Sequence, residues 1–126
     1  MEKEKTTSIF ILDDEPIVCK RLKASLDRKG YVVQTSCDSV KALEIVSHTP
    51  FDIVITDLKM EGIDGMQFFT EVKKQHPETQ VIVITGFATL ETAKESFKKG
   101  VFDFLAKPFK LGEIFAVIER AENNIK

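Results

Sequence analysis

Apolar residues in this chain follow two alternating patterns. Five short runs rich in β-branched residues or phenylalanine fall at residues 9–12, 31–35, 52–56, 80–85 and 101–105. Between and after them, apolar positions recur at helical spacing: Val18, Leu22 and Leu26; Val40, Leu43 and Val46; Met66, Phe69 and Val72; Leu90, Ala93 and Phe97; Leu111, Ile114, Phe115 and Ile118. The short runs predict strands and the spaced stretches predict helices. Ile53-Val54-Ile55 and Val81-Ile82-Val83-Ile84 are apolar at consecutive positions, which suits strands covered on both faces and hence a parallel sheet. Pro16 fits a first helical turn, and Gly30 and Gly100 fall just after predicted helices, where a left-handed stop residue is expected.

Strand and helix therefore alternate five times. With right-handed crossovers this gives an α/β doubly wound three-layer sandwich, whose ligands bind outside the carboxyl ends of the strands. No internal repeat, low-complexity tract or Ser/Gly linker interrupts the pattern, so residues 1–126 read as one domain with about the first six residues a loose tail.

Composition narrows the function classes. At 126 residues and 43% hydrophobic content the chain fits a single core. Its 18 basic and 20 acidic residues nearly cancel, so no strong field would recruit nucleic acid or anionic lipid. The longest apolar runs fall far short of the ~20 residues that cross a bilayer, and residues 1–7 are too polar for a secretory signal, so a cytoplasmic location is expected. Cys19 and Cys37 have no metal-ligand spacing or disulfide framework and read as reduced thiols, while His48 and His76, near helix ends, read as surface residues. No glycine-rich phosphate loop precedes a helix, so nucleotide binding has no support.

Candidate chemistry gathers at the strand ends. Asp13 and Asp14 follow the first strand, Asp57 the third, Thr85 closes the fourth and Lys107 follows the fifth, so all should converge on one edge of the sheet. Packed carboxylates repel one another, and a hard divalent cation with oxygen ligands relieves that repulsion, which makes Mg2+ the expected occupant. A lysine beside them can balance anionic charge, a threonine hydroxyl can bond a phosphoryl oxygen, and a carboxylate can act as nucleophile to form an acyl phosphate. Gly86 removes bulk where a phosphoryl group would approach. Taken singly, each residue has an ordinary explanation, since acids after strands cap helices and a lysine before Pro108 is a common loop charge. Suitable residues at all four of these strand ends favour the functional reading.

Ile11-Leu12-Asp13-Asp14-Glu15-Pro16, Ile55-Thr56-Asp57-Leu58-Lys59-Met60, Val83-Ile84-Thr85-Gly86 and Phe104-Leu105-Ala106-Lys107-Pro108 resemble the signature blocks of bacterial response-regulator receiver domains in order and spacing. Glu61-Gly62-Ile63-Asp64-Gly65-Met66 is similar to the family's loop after the phosphoacceptor, with Glu61 where proline is common. The resemblance implies a flavodoxin-like five-stranded parallel sheet in the order 2-1-3-4-5, and a signalling domain rather than a multiple-turnover enzyme. It implies that Asp57 accepts a phosphoryl group from a sensor histidine kinase or phosphotransfer protein. It also implies that Asp14, Asp57 and the Lys59 backbone carbonyl ligate Mg2+, with Asp13 assisting, and that Lys107 is the counterion to the phosphoryl group. A cis Lys107-Pro108 peptide and a coupled switch pair of Thr85 and Phe104 follow from the same resemblance.

The implied readout surface comprises the fourth helix, fifth strand and fifth helix, where Lys94, Lys98, Lys99 and Asp103 mix with Phe97 and Val101. The resemblance also implies homodimerisation through that face and a role in transcriptional regulation, while the balanced charge and short apolar runs predict neither direct nucleic-acid binding by this chain nor a membrane. Lys59 and Phe87 occupy positions that tune phosphoryl lifetime in the family, and a bulky Phe87 predicts a long-lived aspartyl phosphate. Two other readings compete. A phosphatase of the haloacid dehalogenase type also uses an aspartyl nucleophile and Mg2+, but leaves Asp57 unexplained and lacks a second acidic motif after Lys107. A flavodoxin-like binding module would place a phosphate-bearing cofactor against the acid cluster, where it is repelled.

Overall fold

A computed structural model describes residues 6–58 and 64–125. Its elements run β1 (Ser8–Leu12), α1 (Pro16–Arg28), β2 (Val32–Ser36), α2 (Ser39–His48), β3 (Ile53–Thr56), α3 (Gly65–Gln75), β4 (Gln80–Thr85), α4 (Leu90–Lys99), β5 (Asp103–Ala106) and α5 (Leu111–Ile125). The five strands pair in parallel in the order β2-β1-β3-β4-β5, so the expected doubly wound sheet is present.

The consecutive apolar runs are explained by two cores, one on each face of the sheet. Successive strand residues point to opposite faces. Ile9, Ile11, Ile53, Ile55, Ile82 and Ile84 pack with Leu22 and Leu26 of α1 and Ile114 and Ile118 of α5. Phe10, Leu12, Val54, Val81 and Val83 pack with Ala42 and Val46 of α2 and Phe68, Phe69 and Val72 of α3. All four residues of β3 are buried, as the parallel-sheet argument requires. The edge strand β2 buries only one of its residues.

Helix ends follow the sequence punctuation. Pro16 opens α1, where its missing N–H costs nothing, and Gly30 and Gly100 sit at φ 96° and φ 105° just beyond α1 and α4. Asp38 caps α2 by accepting from the Val40 and Lys41 amides, and capping boxes open α3 at Asp64–Gln67 and α4 at Thr89–Thr92.

The fifth strand begins two residues later than the apolar run predicts. Val101 is buried but lies outside the strand, and Phe102 N–H bonds the Val81 carbonyl at 2.7 Å as the chain leaves Gly100. Both side chains pack by position rather than by ladder pairing, so an apolar run alone could not mark the strand start. Burial also removes Val101 from the expected readout surface.

Candidate functional site at the carboxyl edge of the sheet

The parallel register brings the strand ends together. Leu12 of β1 is level with Ser36 of β2 and Thr56 of β3, and Thr85 of β4 with Ala106 of β5. The residues that follow these positions therefore share one edge. Asp57 N–H bonds the Leu12 carbonyl at 3.2 Å, Asp13 N–H the Ser36 carbonyl at 3.3 Å and Lys107 N–H the Thr85 carbonyl at 2.8 Å, which fixes each backbone just beyond its strand.

Lys107 joins the acidic side chains. Its Nζ lies 2.8 Å from Asp13 Oδ2, 2.8 Å from Asp57 Oδ2 and 2.7 Å from Glu15 Oε1. Asp13 Oδ2 is buried, and its ion pair with Lys107 is the contact that meets its charge. Asp13 is fully buried and Asp57 nearly so, whereas Asp14 is exposed. One carboxylate oxygen each from Asp13, Asp14 and Asp57 fall within 4.8 Å of one another.

Electrostatics follow from this packing. Burial pushes the Asp13 carboxyl above its ordinary value, against the opposing pull of Lys107 and of the Glu15 amide, which donates to Asp13 Oδ1 at 2.9 Å. Burial alone would lower Lys107, but its contacts with Asp13, Asp57 and Glu15 outweigh that and hold the ammonium above its usual value. Asp57 is oriented on its other oxygen, Oδ1, which accepts from Leu58 N–H at 2.6 Å.

The remaining expected residues sit around this group. Thr85 is fully buried; its Oγ1 accepts from Phe87 N–H at 3.1 Å, so its hydroxyl can still donate. Phe104 is level with Val83 on the neighbouring strand, two residues before Thr85, and its ring packs partly buried on the sheet face that carries α2 and α3. The Lys107-Pro108 peptide is cis. A Cβ on Gly86 would meet no protein atom within 4 Å. Lys59, named as a backbone ligand, lies outside the described residues, as does the segment from Met60 to Ile63.

Two contributors were not visible in the sequence. Glu15 shares Lys107 from a position 92 residues away. Gly65 opens α3 directly against the nucleophile candidate: its N–H bonds the Leu58 carbonyl at 2.9 Å, and a Cβ there would overlap the Asp57 carbonyl oxygen and lie 2.6 Å from Leu58 Cα. Its signals in the sequence were its place one residue after the cap Asp64 and its membership of the segment similar to the family's loop after the phosphoacceptor.

The donor set fits a hard divalent cation. Three carboxylates with an oxygen each within 4.8 Å of one another supply the all-oxygen environment that Mg2+ favours over softer metals.

An open parallel α/β sheet with a cluster of three carboxylates beyond its carboxyl edge, two of them joined by one lysine, places the chain in the doubly wound class, whose ligands bind at that edge. The family pattern of the response regulator receiver domain matches residues 9–119, and the chain belongs to that family of signalling modules. It is 35% identical over 115 residues to a putative response regulator NtrX-like of Rickettsia typhi, covering 90% of this chain and 24% of that protein. Identity to the transcriptional regulatory protein GlrR of Escherichia coli is 33% over 117 residues, covering 93% of this chain and 26% of that protein. The chain thus spans about a quarter of the length of the curated relatives it matches.

Solved structures agree. A response regulator receiver domain protein from Clostridium thermocellum superposes with a TM-score of 0.87 at 33% identity, covering 94% of this chain and 95% of the other. A beryllofluoride-activated NtrC4 receiver domain dimer gives 0.89 at 30% identity, covering 94% and 98%. Family membership favours the receiver over the phosphatase and flavin-binding readings.

Proposed function

We propose that this chain is a phosphorylation-activated receiver unit in which Asp57 accepts a phosphoryl group and Asp13, Asp14 and Asp57 hold Mg2+. The observation that supports this most is the Lys107 ammonium lying 2.8 Å from both Asp13 and Asp57 at the carboxyl edge of the sheet. Bound there, Mg2+ would supply positive charge toward the oxygens of the transferring phosphoryl group. The Lys59 carbonyl would complete the protein ligands.

In the transfer, Asp57 Oδ attacks phosphorus of a phosphohistidine on a sensor kinase or phosphotransfer protein. The P–N bond breaks, and its electron pair stays on the imidazole, which takes up a proton. Asp57 Oδ2 is now held by Lys107, so the ammonium must move with the incoming phosphoryl group and pair with its oxygens. Asp13 and Glu15 keep Lys107 within the site while it does so. The Thr85 hydroxyl donates to a phosphoryl oxygen, and its displacement toward Asp57 frees space beside β4 into which the Phe104 ring turns. Phe104 has no hydroxyl, so the change is one of packing alone.

The surface that reads this change comprises α4, β5 and α5. Phe97 is half exposed there, and Asp103 pairs with Arg120 at 2.9 Å. The output is a protein contact or homodimer within a transcriptional regulator, without nucleic-acid binding by this chain, in the cytoplasm. Resemblance to NtrX- and NtrC-type regulators supports the transcriptional setting, and a receiver dimer among similar structures supports dimerisation. Among the described residues no helix is long and apolar enough to cross a membrane.

Phosphodonor assays test the reaction class. Acetyl phosphate with Mg2+ should add a single phosphoryl group, and chelation with EDTA should prevent it. Sustained release of phosphate from phosphoesters over many turnovers would instead point to a phosphatase.

A further inference from the structure

Glu15 is the N-cap of α1, yet its side chain makes no cap hydrogen bond to that helix. A shorter Asp, Asn or Ser would cap better there. The carboxylate turns instead to Lys107, whose Nζ donates to Oε1 at 2.7 Å. Of the three carboxylates around that ammonium, Asp13 has a fully buried side chain and Asp57 one that is 6% exposed, whereas that of Glu15 is 57% exposed. Glu15 is also the one of the three that lies outside the group suited to a metal. Each oxygen of the two buried carboxylates is engaged. Asp13 Oδ1 accepts from Glu15 N–H at 2.9 Å, Asp57 Oδ1 accepts from Leu58 N–H at 2.6 Å, and Lys107 Nζ lies 2.8 Å from both Oδ2 atoms. A divalent cation that takes an oxygen from each must compete with this ammonium for their charge. The two amides are fixed in the backbone, but the ammonium sits on a flexible four-carbon stem and can swing.

We propose that Glu15 is a positioning residue that draws the Lys107 ammonium away from Asp13 and Asp57 and so opens their oxygens to Mg2+. The inference rests on the receiver reading of this site. Glu15 gives the ammonium a partner on the solvent side, so Lys107 can release the buried carboxylates without losing every counterion. It stays within reach of the site, where an arriving phosphoryl group would meet it. With Glu15 neutralised, the ammonium is left to the two buried carboxylates and holds them more firmly against the metal.

The test is a titration of the full chain with MgCl2, without any phosphodonor, followed by backbone amide NMR shifts. Glu15→Gln, which keeps the side-chain shape and loses the charge, should weaken Mg2+ binding by about threefold to fivefold, the scale of one exposed ion pair. That ratio should persist in ~1 M NaCl, where a Debye length of ~3 Å screens charges acting at a distance but not one in direct contact. Lys107→Met should bind Mg2+ more tightly than the wild type, and adding Glu15→Gln to it should change little. Should Lys107→Met fail to fold by circular dichroism, the salt series decides alone. Equal Mg2+ affinity in Glu15→Gln and wild type would overturn the proposal. So would a loss that disappears in salt or is undiminished without Lys107, since bare charge would then explain it. No Mg2+ binding by the wild type would overturn the metal set of the receiver reading along with it.

Discussion

A methyl group added at Gly65 would overlap the Asp57 carbonyl oxygen, so this position is held to glycine by contact rather than by its backbone angles. Gly65→Ala should therefore destabilise the fold by about 2 kcal/mol, as overpacking does, and slow modification of Asp57 by shifting its backbone. Urea melts and acetyl phosphate labelling rates check the two effects; an unchanged midpoint would show that the contact is relieved at no cost. At Tyr31 the hydroxyl donates to Glu122 Oε1 at 2.9 Å, and burial followed by that contact pushes its ionisation up to about 12. A raised value means the folded state keeps its proton longer than the unfolded chain, so this contribution is intact below about pH 10 and is lost as pH rises toward 12. Tyr31→Phe should cost about 1 kcal/mol near neutrality and flatten the alkaline limb of the stability profile. Asp13, Asp14, Asp57, Thr85 and Lys107 were legible in the sequence because each ends or follows an apolar run. Glu15 and Gly65 were not, because their roles depend on partners that only the folded chain brings near.

At the scale of elements, the starts of α2, α3 and α4 are set by side-chain caps whose partners lie within three residues, which is why they can be read locally. Asp64 Oδ1 accepts from Gln67 N–H at 2.9 Å while the Gln67 side chain accepts from Asp64 N–H at 3.2 Å. Asp64→Ala should lose about 1 kcal/mol, visible as a lower urea midpoint with an unchanged slope. Strand limits are less local. The run at residues 101–105 contains Val101 and Phe102, which are apolar because they pack against the sheet's flanks, while the ladder itself starts at Asp103 opposite Ile82. Hydropathy reports burial, not pairing, and at β5 the two part by two residues.

For the whole molecule, three carboxylates gathered at one edge oppose folding electrostatically unless positive charge meets them. At Asp13 burial is the main cost and raises its carboxyl, which Lys107 offsets in part from 2.8 Å. In EDTA, Asp13→Asn should raise the melting temperature by about 4 °C, equivalent to roughly 1 kcal/mol, because an amide oxygen can still accept from Glu15 N–H while the buried charge is gone. Millimolar Mg2+ should raise the melting temperature of the wild type by mass action and do little for the variant. An equal Mg2+ response in both proteins would remove Asp13 from the proposed metal set.

The central claim is that Asp57 accepts the phosphoryl group. Intact mass after incubation with acetyl phosphate and Mg2+, wild type against Asp57→Asn, tests it most directly. One added phosphoryl group on the wild type and none on the variant is the predicted result. Equal modification of both would place the acceptor elsewhere, and modification of neither would contradict the receiver chemistry.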